Sequence, residues 1–245
     1  MVLAALEKKE NATKVARKGN VYYMPGCEVV SAAPRYTGEH TSTPIKNKAD
    51  VQRVSEYFGA LGMDLMQLLF TVGVNTAYRI SDILSLRWEE VLEDDGTVTE
   101  KNLNRVEQKT RNRNKKRRKV FLNATVREAL AQFRETHETG VYVFESPRNP
   151  GVPVTRQYVD KWLKKAVADL DIDVRAGTHM MRKTFAYHHI VEAKDRARAL
   201  EQLMLLLGHA SLDVTLDYAG ITEDELKDCY EEVQLAATIT GLFPR

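Results

Sequence analysis

The chain has 245 residues, which suffice for one ordinary domain with additional elements or for two small ones, and its 43% hydrophobic content supplies a core. No apolar run approaches the roughly 18 residues that a membrane-spanning helix needs, and the apolar N-terminus is too short for a signal peptide. Cys27 and Cys229 lie far apart without metal-type spacing, so a cytoplasmic protein without membrane contact is expected, and the net charge of +2 excludes no partner.

Residues 1–48 are predicted to form an irregular N-terminal arm. Residues 2–17 are compatible with a short helix. The stretch that follows contains glycines and prolines that interrupt regular secondary structure, at Gly19, Pro25, Gly26, Pro34, Gly38 and Pro44. These frequent breaks favour an arm over a folded domain.

Helical spacing begins at Ala49. An amphipathic helix is predicted over about 51–61, and the nearly all-apolar stretch 65–74 predicts a buried one. A third helix is expected to begin near Ser81 and Asp82, with its apolar residues facing inward.

A basic β-hairpin is predicted after Trp88. The sequence EDDGT at 93–97 indicates a turn, and residues 105–108 and 119–122 have the pattern of two strands. Residues 109–119 carry eight basic side chains in eleven and no acid. Such a tract is either a binding surface for phosphate backbones or simply a solvated loop.

Helices dominate the remainder of the chain. Residues 124–137 return to helical spacing, and 142–146 indicate an apolar turn or short strand. Later helices are predicted at about 155–170, 178–193, 196–207, 211–218 and 223–237. The predicted fold class is therefore α+β: mostly α with a small antiparallel β-sheet.

Three short stretches carry residues suited to chemistry. Arg79 heads a helix with Asp82 three residues on, and His209 follows a Leu-Gly step nine residues before Tyr218. His179 and Arg182, at i and i+3 behind Thr178 as a candidate N-cap, share one helix face. Taken singly, each residue is compatible with an ordinary structural role, such as surface pairing, helix termination or packing.

In their order and spacing, the three stretches resemble the catalytic domain of the tyrosine recombinases, the family of lambda-type integrases and Xer chromosome-dimer resolvases. Residues 77–83 match its G-L-R-I-S-E-L-like stretch, and residues 179–186 match H-x-L-R-H-T-F-A. Residues 207–209 match L-G-H, followed nine residues later by Tyr218. Lys109 lies where the family places a lysine on a β-hairpin. The resemblance covers about residues 49–225.

The resemblance implies strand cleavage through a 3′-phosphotyrosine, with a free 5′-hydroxyl as the other product. Arg79 and Arg182 would bind the phosphoryl oxygens, because guanidinium groups stay charged and make two-point contacts with phosphate. Tyr218 would be the nucleophile. Its ordinary pKa of about 10 calls for a positive environment and a base, for which His179 is the candidate.

The remaining roles concern the leaving group and the DNA. His209 would bind the scissile phosphate, Asp82 would orient side chains of the pocket, and Lys109 would protonate the departing 5′-oxygen. Lys115 and Lys116 are rivals for that last role. The residues expected to contact DNA are Arg111, Arg113, Lys115, Lys116, Arg117 and Arg118.

The implied partners are double-stranded DNA at a specific recombination site and further copies of the chain. A tetramer on DNA is expected, formed from monomers or dimers in solution, with accessory DNA-bending proteins as further candidates and association with the nucleoid during the reaction. No cofactor or metal is expected, since the sequence lacks a Walker-type loop and clustered metal-ligand carboxylates.

The catalytic domain is expected to span 49–222, followed by a helix and tail over 223–245 that pack either in cis or on a neighbouring protomer. Tyr78 and Lys183 depart from the family pattern at positions expected to tolerate change. Only 48 residues precede the catalytic pattern. The resemblance therefore implies a short form without a full N-terminal core-binding domain.

Other functions remain open at this point. A topoisomerase of type IB uses similar residues, but the Leu-Gly-His step and the short spacing to Tyr218 favour a recombinase. A non-catalytic DNA-binding regulator is disfavoured because every candidate catalytic position is filled, and no metal or serine nuclease constellation is present. Integration or excision of a phage or other mobile element is expected, with inversion or dimer resolution as the alternative.

Overall fold

The computed structural model describes residues 16–18, 21–23, 42–101, 103–106, 117–137 and 140–221. The helices of this part of the chain are α1 (Lys48–Ala60), α2 (Asp64–Asn75), α3 (Ile80–Leu84), α4 (Trp88–Val91), α5 (Ala124–Thr136), α6 (Arg156–Asp169), α7 (Thr178–Val191), α8 (Arg196–Leu207) and α9 (Leu212–Ala219). The strands are β1 (Ala16–Lys18), β2 (Val21–Tyr23), β3 (Leu103–Val106), β4 (Arg117–Val120), β5 (Glu145–Ser146) and β6 (Asn149–Pro153). They form antiparallel pairs β1–β2, β3–β4 and β5–β6. The predicted fold class is thereby confirmed.

Polar side chains fix where the helices begin. The side chains of the capping residues accept hydrogen bonds from backbone N–H groups of the first turn, which otherwise lack partners. They do so at Asn47, Asn123, Thr155, Asp195 and Ser211. Each such cap stabilises its helix by about 1 kcal/mol.

The core surrounds α2, as its apolar sequence predicts. Leu69, Phe70 and Val72 are fully buried. A Cβ added to Gly73 would lie 2.4 Å from the Sδ of Met181, so glycine is needed where α2 meets α7. A second apolar cluster joins α7, α8 and α9 through residues that include Ile190 and Leu203. These contacts hold the three C-terminal helices against one another.

The end of the N-terminal arm is attached by hydrogen bonds to α7 and to the segment that precedes it. The backbone N–H of Thr43 donates to the Arg175 carbonyl at 3.1 Å, and that of Arg175 donates to the Thr43 hydroxyl at 2.9 Å. The N–H of Ile45 donates to the hydroxyl of Thr184 at 2.9 Å. Ile45 itself is buried. The chain thus reaches α1 along the helix that carries the second motif.

Several local predictions needed correction. Most of the expected helix over 2–17 lies outside the described residues, but its last two positions belong to strand β1. Thr178 is the first residue of α7 and not its cap, which is Gly177. Strand β4 ends at Val120, two residues earlier than predicted, because Asn123 caps α5 and the chain must leave the ladder before it. Residues 107 and 108 of the other predicted strand lie outside the described residues.

Strand β6 was missed because its sequence, NPGVP, is typical of a turn. The carboxylate of Glu145 organises this region by accepting hydrogen bonds from the backbone N–H groups of Val141, Tyr142 and Gly151 at 2.7, 3.1 and 2.9 Å. The Glu145 side chain therefore supplies hydrogen-bond acceptors for this segment, an interaction that the sequence pattern does not indicate. Within the described ranges, no helix is both long and apolar enough to cross a membrane.

Candidate active site

Arg79 is held at the beginning of α3. It occupies the N-cap position with an extended backbone (φ −76°, ψ 154°), and Ile80 and Ile83 anchor the short helix in the core. The half-buried Arg79 is thus fixed by the packing of its neighbours. Asp82 is buried one turn later, with its backbone N–H bonded to the Arg79 carbonyl at 2.9 Å.

Arg182 is a charged side chain in an almost fully buried position, with 3% of its surface exposed. Its Nη2 donates to the carbonyl oxygen of Leu207 at 3.1 Å. Leu207 is the last residue of α8, where the helix dipole adds negative potential. Burying a charge is costly unless it is compensated, and this carbonyl supplies part of the compensation.

The Leu-Gly-His step ends α8 and places His209. Gly208 adopts a left-handed backbone (φ +69°), and the N–H groups of Gly208 and His209 both donate to the Met204 carbonyl, at 2.8 and 3.1 Å. Glycine suits this position because other residues are strained there. The chain then turns directly into α9, which carries Tyr218.

His209 is oriented by a fully buried threonine. Thr215 donates its hydroxyl hydrogen to the Ser211 carbonyl at 3.0 Å, so its oxygen accepts from Nδ1 of His209 at 3.2 Å. This network places the imidazole proton on Nδ1, so Nε2 is the ring nitrogen that carries the lone pair. The ring of His209 meets that of Tyr218 edge to face, with centroids 5.0 Å apart.

Tyr218 carries a buried hydroxyl that has no hydrogen-bonding partner among the described residues. Burial raises the pKa of this phenol, whereas the positive charges of Arg182 and Arg79 act in the opposite direction. A buried hydroxyl without a partner is unusual in a folded protein and suggests a binding group. Ala77 of the first motif and Ala186 of the second belong to one apolar cluster against which Tyr218 packs, so the two motifs converge on Tyr218.

His179 lies within the same positive environment. Its side chain is solvent-accessible, but partial burial lowers its pKa, as do the charges of Arg156, Arg182, Arg79 and Lys183. The imidazole is therefore neutral over a wider pH range than an ordinary histidine. A neutral ring can accept a proton, as a general base must.

Three cations near the site were not predicted from the sequence. Arg156 is exposed at the first position of α6, Arg175 precedes α7, and Lys183 directly follows Arg182. The ammonium nitrogen of Lys183 lies 5.3 Å from the centroid of the Tyr218 ring. Arg156 and Arg175 have no motif that could reveal them, because only the tertiary fold brings them to the site.

The predicted residues therefore divide into two groups. Arg79, Asp82, His179, Arg182, His209 and Tyr218 belong to the described helices and their ends. Lys109, Arg111, Arg113, Lys115 and Lys116 lie outside the described residues. Arg117 and Arg118 belong to β4, where they pair with Val106 and Arg105. In the described ranges, no group of three or more acidic, histidine or cysteine residues is arranged to hold a metal.

Relatives of named function match most of the chain. A probable integrase/recombinase of Bacillus subtilis, YoeC, is 32% identical over 193 residues, which cover 78% of this chain and 97% of that protein. Tyrosine recombinase XerC of Bacillus pumilus is 27% identical over 200 residues, covering 76% of this chain. The matching region amounts to 58% of XerC, so the chain spans little more than half of that relative.

Solved structures share the fold. XerA recombinase superimposes with a TM-score of 0.58 at 19% identity, covering 81% of this chain and 66% of that chain. XerH site-specific recombinase bound to a palindromic difH substrate gives 0.59 at 19% identity, covering 94% and 62%. Residues 51–225 match the phage integrase family. The chain therefore belongs to the phage integrase family, the tyrosine-type site-specific recombinases, whose general mechanism is DNA strand cleavage and rejoining through a 3′-phosphotyrosine intermediate.

Proposed function

We propose that Tyr218 of this chain attacks a DNA phosphodiester within the pocket formed by the start of α3, α7 and the last turn of α9. The observation that carries the proposal is the buried, unpartnered Tyr218 hydroxyl on which the charges of Arg79 and Arg182 act. A scissile phosphate would fill the pocket and offset the clustered positive charge. Its oxygens would accept hydrogen bonds from the two guanidinium groups.

The proposed step is a transesterification. The Tyr218 oxygen forms a bond to phosphorus while the bond to the 5′-oxygen breaks, and the phenolic proton passes to His179. His209 donates from Nε2 to the phosphoryl group once that nitrogen is protonated. Lys109 is proposed to protonate the departing 5′-oxygen, with Lys115 and Lys116 as rivals. Attack by another strand's 5′-hydroxyl then restores the phosphodiester and the tyrosine.

The proposed substrate is a specific recombination site in double-stranded DNA. Solved relatives include a lambda integrase dimer bound to a core site and a transposon integrase in complex with circular intermediate DNA. For biological role we propose integration or excision of a phage or other mobile element. The match to 97% of a probable integrase/recombinase supports this role over dimer resolution or inversion, since the XerC matches span only part of those proteins.

Covalent trapping tests the proposed nucleophile. The protein is incubated with nicked suicide duplexes that carry DNA flanking its own gene, and the products are separated on denaturing gels. Wild type is expected to give a shifted protein–DNA band, and Tyr218→Phe none, because the variant loses only the attacking oxygen. Salt-sensitive DNA binding without a band from either protein would favour a regulator on this scaffold.

The active assembly is proposed to be a tetramer that holds two duplexes, with residues 223–245 packing in cis or on a neighbouring protomer. Accessory DNA-bending proteins are proposed for sites that need bending. Light scattering of the protein on two-site DNA measures the stoichiometry. A complex that remains at one protomer per duplex while recombining would contradict the tetramer.

A further inference from the structure

Lys183 and His209 both lie next to the Tyr218 ring. The ammonium nitrogen of Lys183 lies over the ring, 5.3 Å from its centroid. The imidazole of His209 meets the same ring at an interplanar angle of 69° and a centroid distance of 5.0 Å. The ring is thus bounded by a cation from α7 and by an imidazole from the turn before α9.

A lysine in this position interacts with two states of the tyrosine differently. An ammonium group over a neutral phenol is attracted by the electron-rich face of the ring. When the hydroxyl loses its proton, the ring system gains negative charge and the attraction becomes one between opposite charges. Partial burial of Lys183 strengthens this difference, because less water screens the pair.

We propose that Lys183 is a positioning residue for Tyr218, which holds the phenol ring against His209 and stabilises the phenolate that develops during attack. The inference rests on the proposed function of Tyr218 as the nucleophile. It changes the expectation that Lys183 is a position tolerant of substitution. Lys183 acts through the tyrosine ring and needs no contact with the scissile phosphate.

The charge of Lys183 depends on its surroundings. Burial lowers its pKa, and the positive charge of Arg175 lowers it further. Arg182 precedes it on α7, and the charge of Lys183 in turn lowers the pKa of His179. Its ammonium group also faces the ring of Tyr218, which in turn contacts the ring of His209. As the pH rises, Lys183 therefore loses its proton earlier than an ordinary lysine does.

The test compares Lys183→Met with Lys183→Arg in single-turnover cleavage of a suicide duplex at saturating protein. Methionine keeps the length of the side chain without its charge, and arginine keeps the charge and stacks well on aromatic rings. Lys183→Met is expected to cleave about 3- to 30-fold more slowly, and Lys183→Arg within about threefold of wild type. Exposed Lys194, beyond the end of α7, provides the matched control Lys194→Met.

The pH profile distinguishes positioning from simple packing. The advantage of wild type over Lys183→Met is expected to shrink as pH rises through the pKa of Lys183, because the ammonium charge is then lost. A ratio independent of pH would overturn the inference. So would unchanged cleavage by Lys183→Met, or weaker DNA binding with an unchanged rate at saturation, which would identify a phosphate contact instead.

The outcomes for the two proposals are separable. If wild type forms no covalent complex, the proposed function itself fails. If wild type forms the complex, Tyr218→Phe does not, and Lys183→Met matches wild type in rate, only the inference about Lys183 fails. A melting curve of each variant shows whether it is folded, and Lys183→Arg keeps the test decisive if methionine disrupts the site.

Discussion

The buried guanidinium of Arg182 combines a binding role with a structural one. Arg182 is 3% exposed and donates a hydrogen bond to the last carbonyl of α8, so its side chain is already dehydrated before DNA binds. A charged donor fixed in this way can stabilise negative charge on a phosphoryl group without reorganising. This arrangement lowers the stability of the free protein, because several positive charges lie close together.

Arg182→Lys is expected to lower the cleavage rate by about 100- to 1000-fold, the effect typical of removing one preorganised donor. Lysine keeps the charge but carries all its donors on one nitrogen, so it lacks the planar fork that can bond the Leu207 carbonyl from one side and phosphate oxygens from another. Single-turnover cleavage measures the effect, with exposed Arg198→Lys as the control expected to match wild type. A loss of less than tenfold would show that only the charge of Arg182 matters.

At the scale of elements, the close contact of α2 with α7 links the core to the catalytic residues. Gly73 of α2 leaves room for Met181, which lies between His179 and Arg182 in sequence. Met181 is itself 1% exposed, so it has little space into which to move. A displacement of α7 would therefore move both catalytic side chains.

Gly73→Ala is expected to destabilise the protein by about 1–3 kcal/mol, because the added Cβ would overlap the Met181 side chain. Gly59→Ala on α1 is the matched control, since the nearest atoms to its Cβ would be the end of the flexible Gln67 side chain, at 3.0 Å. Denaturant unfolding measures both. Equal stability of the two variants would mean that Met181 repacks without cost.

The sequence predicted the helices better than the strands, and better than the site residues that belong to no motif. Apolar spacing located α2 and helices α6 to α9 within a few residues, because that spacing reports which face is buried. The helix predicted over 223–237 lies outside the described residues. Strand β6 was missed because its sequence lacks β-forming residues, and because the hydrogen bond from the Gly151 N–H to the Glu145 carboxylate leaves no periodic pattern in the sequence. Arg156 was missed because its proximity to His179 arises only when α6 and α7 pack together.

At the scale of the whole molecule, the distribution of charge matters more than its sum. The net charge is only +2, yet Arg79, Arg156, Arg175, Arg182 and Lys183 all act on His179, on Tyr218 or on one another. The basic tract 109–119 adds further cations in sequence. A nearly neutral protein can therefore present a strongly positive surface to a DNA backbone.

DNA binding is accordingly expected to depend steeply on salt. If five cations each contact one phosphate, the slope of log affinity against log salt is about −4.5, and affinity falls about 500-fold between 50 and 200 mM salt. Arg117→Gln and Arg118→Gln are each expected to reduce the slope by about one, because each removes one released counterion. Lys194→Gln, at an exposed position outside the site, should leave the slope unchanged. Fluorescence anisotropy on duplex DNA measures these slopes with the Tyr218→Phe protein, which keeps cleavage from obscuring equilibrium binding. A slope near zero would contradict the positive surface, and an unchanged slope in both arginine variants would remove β4 from it.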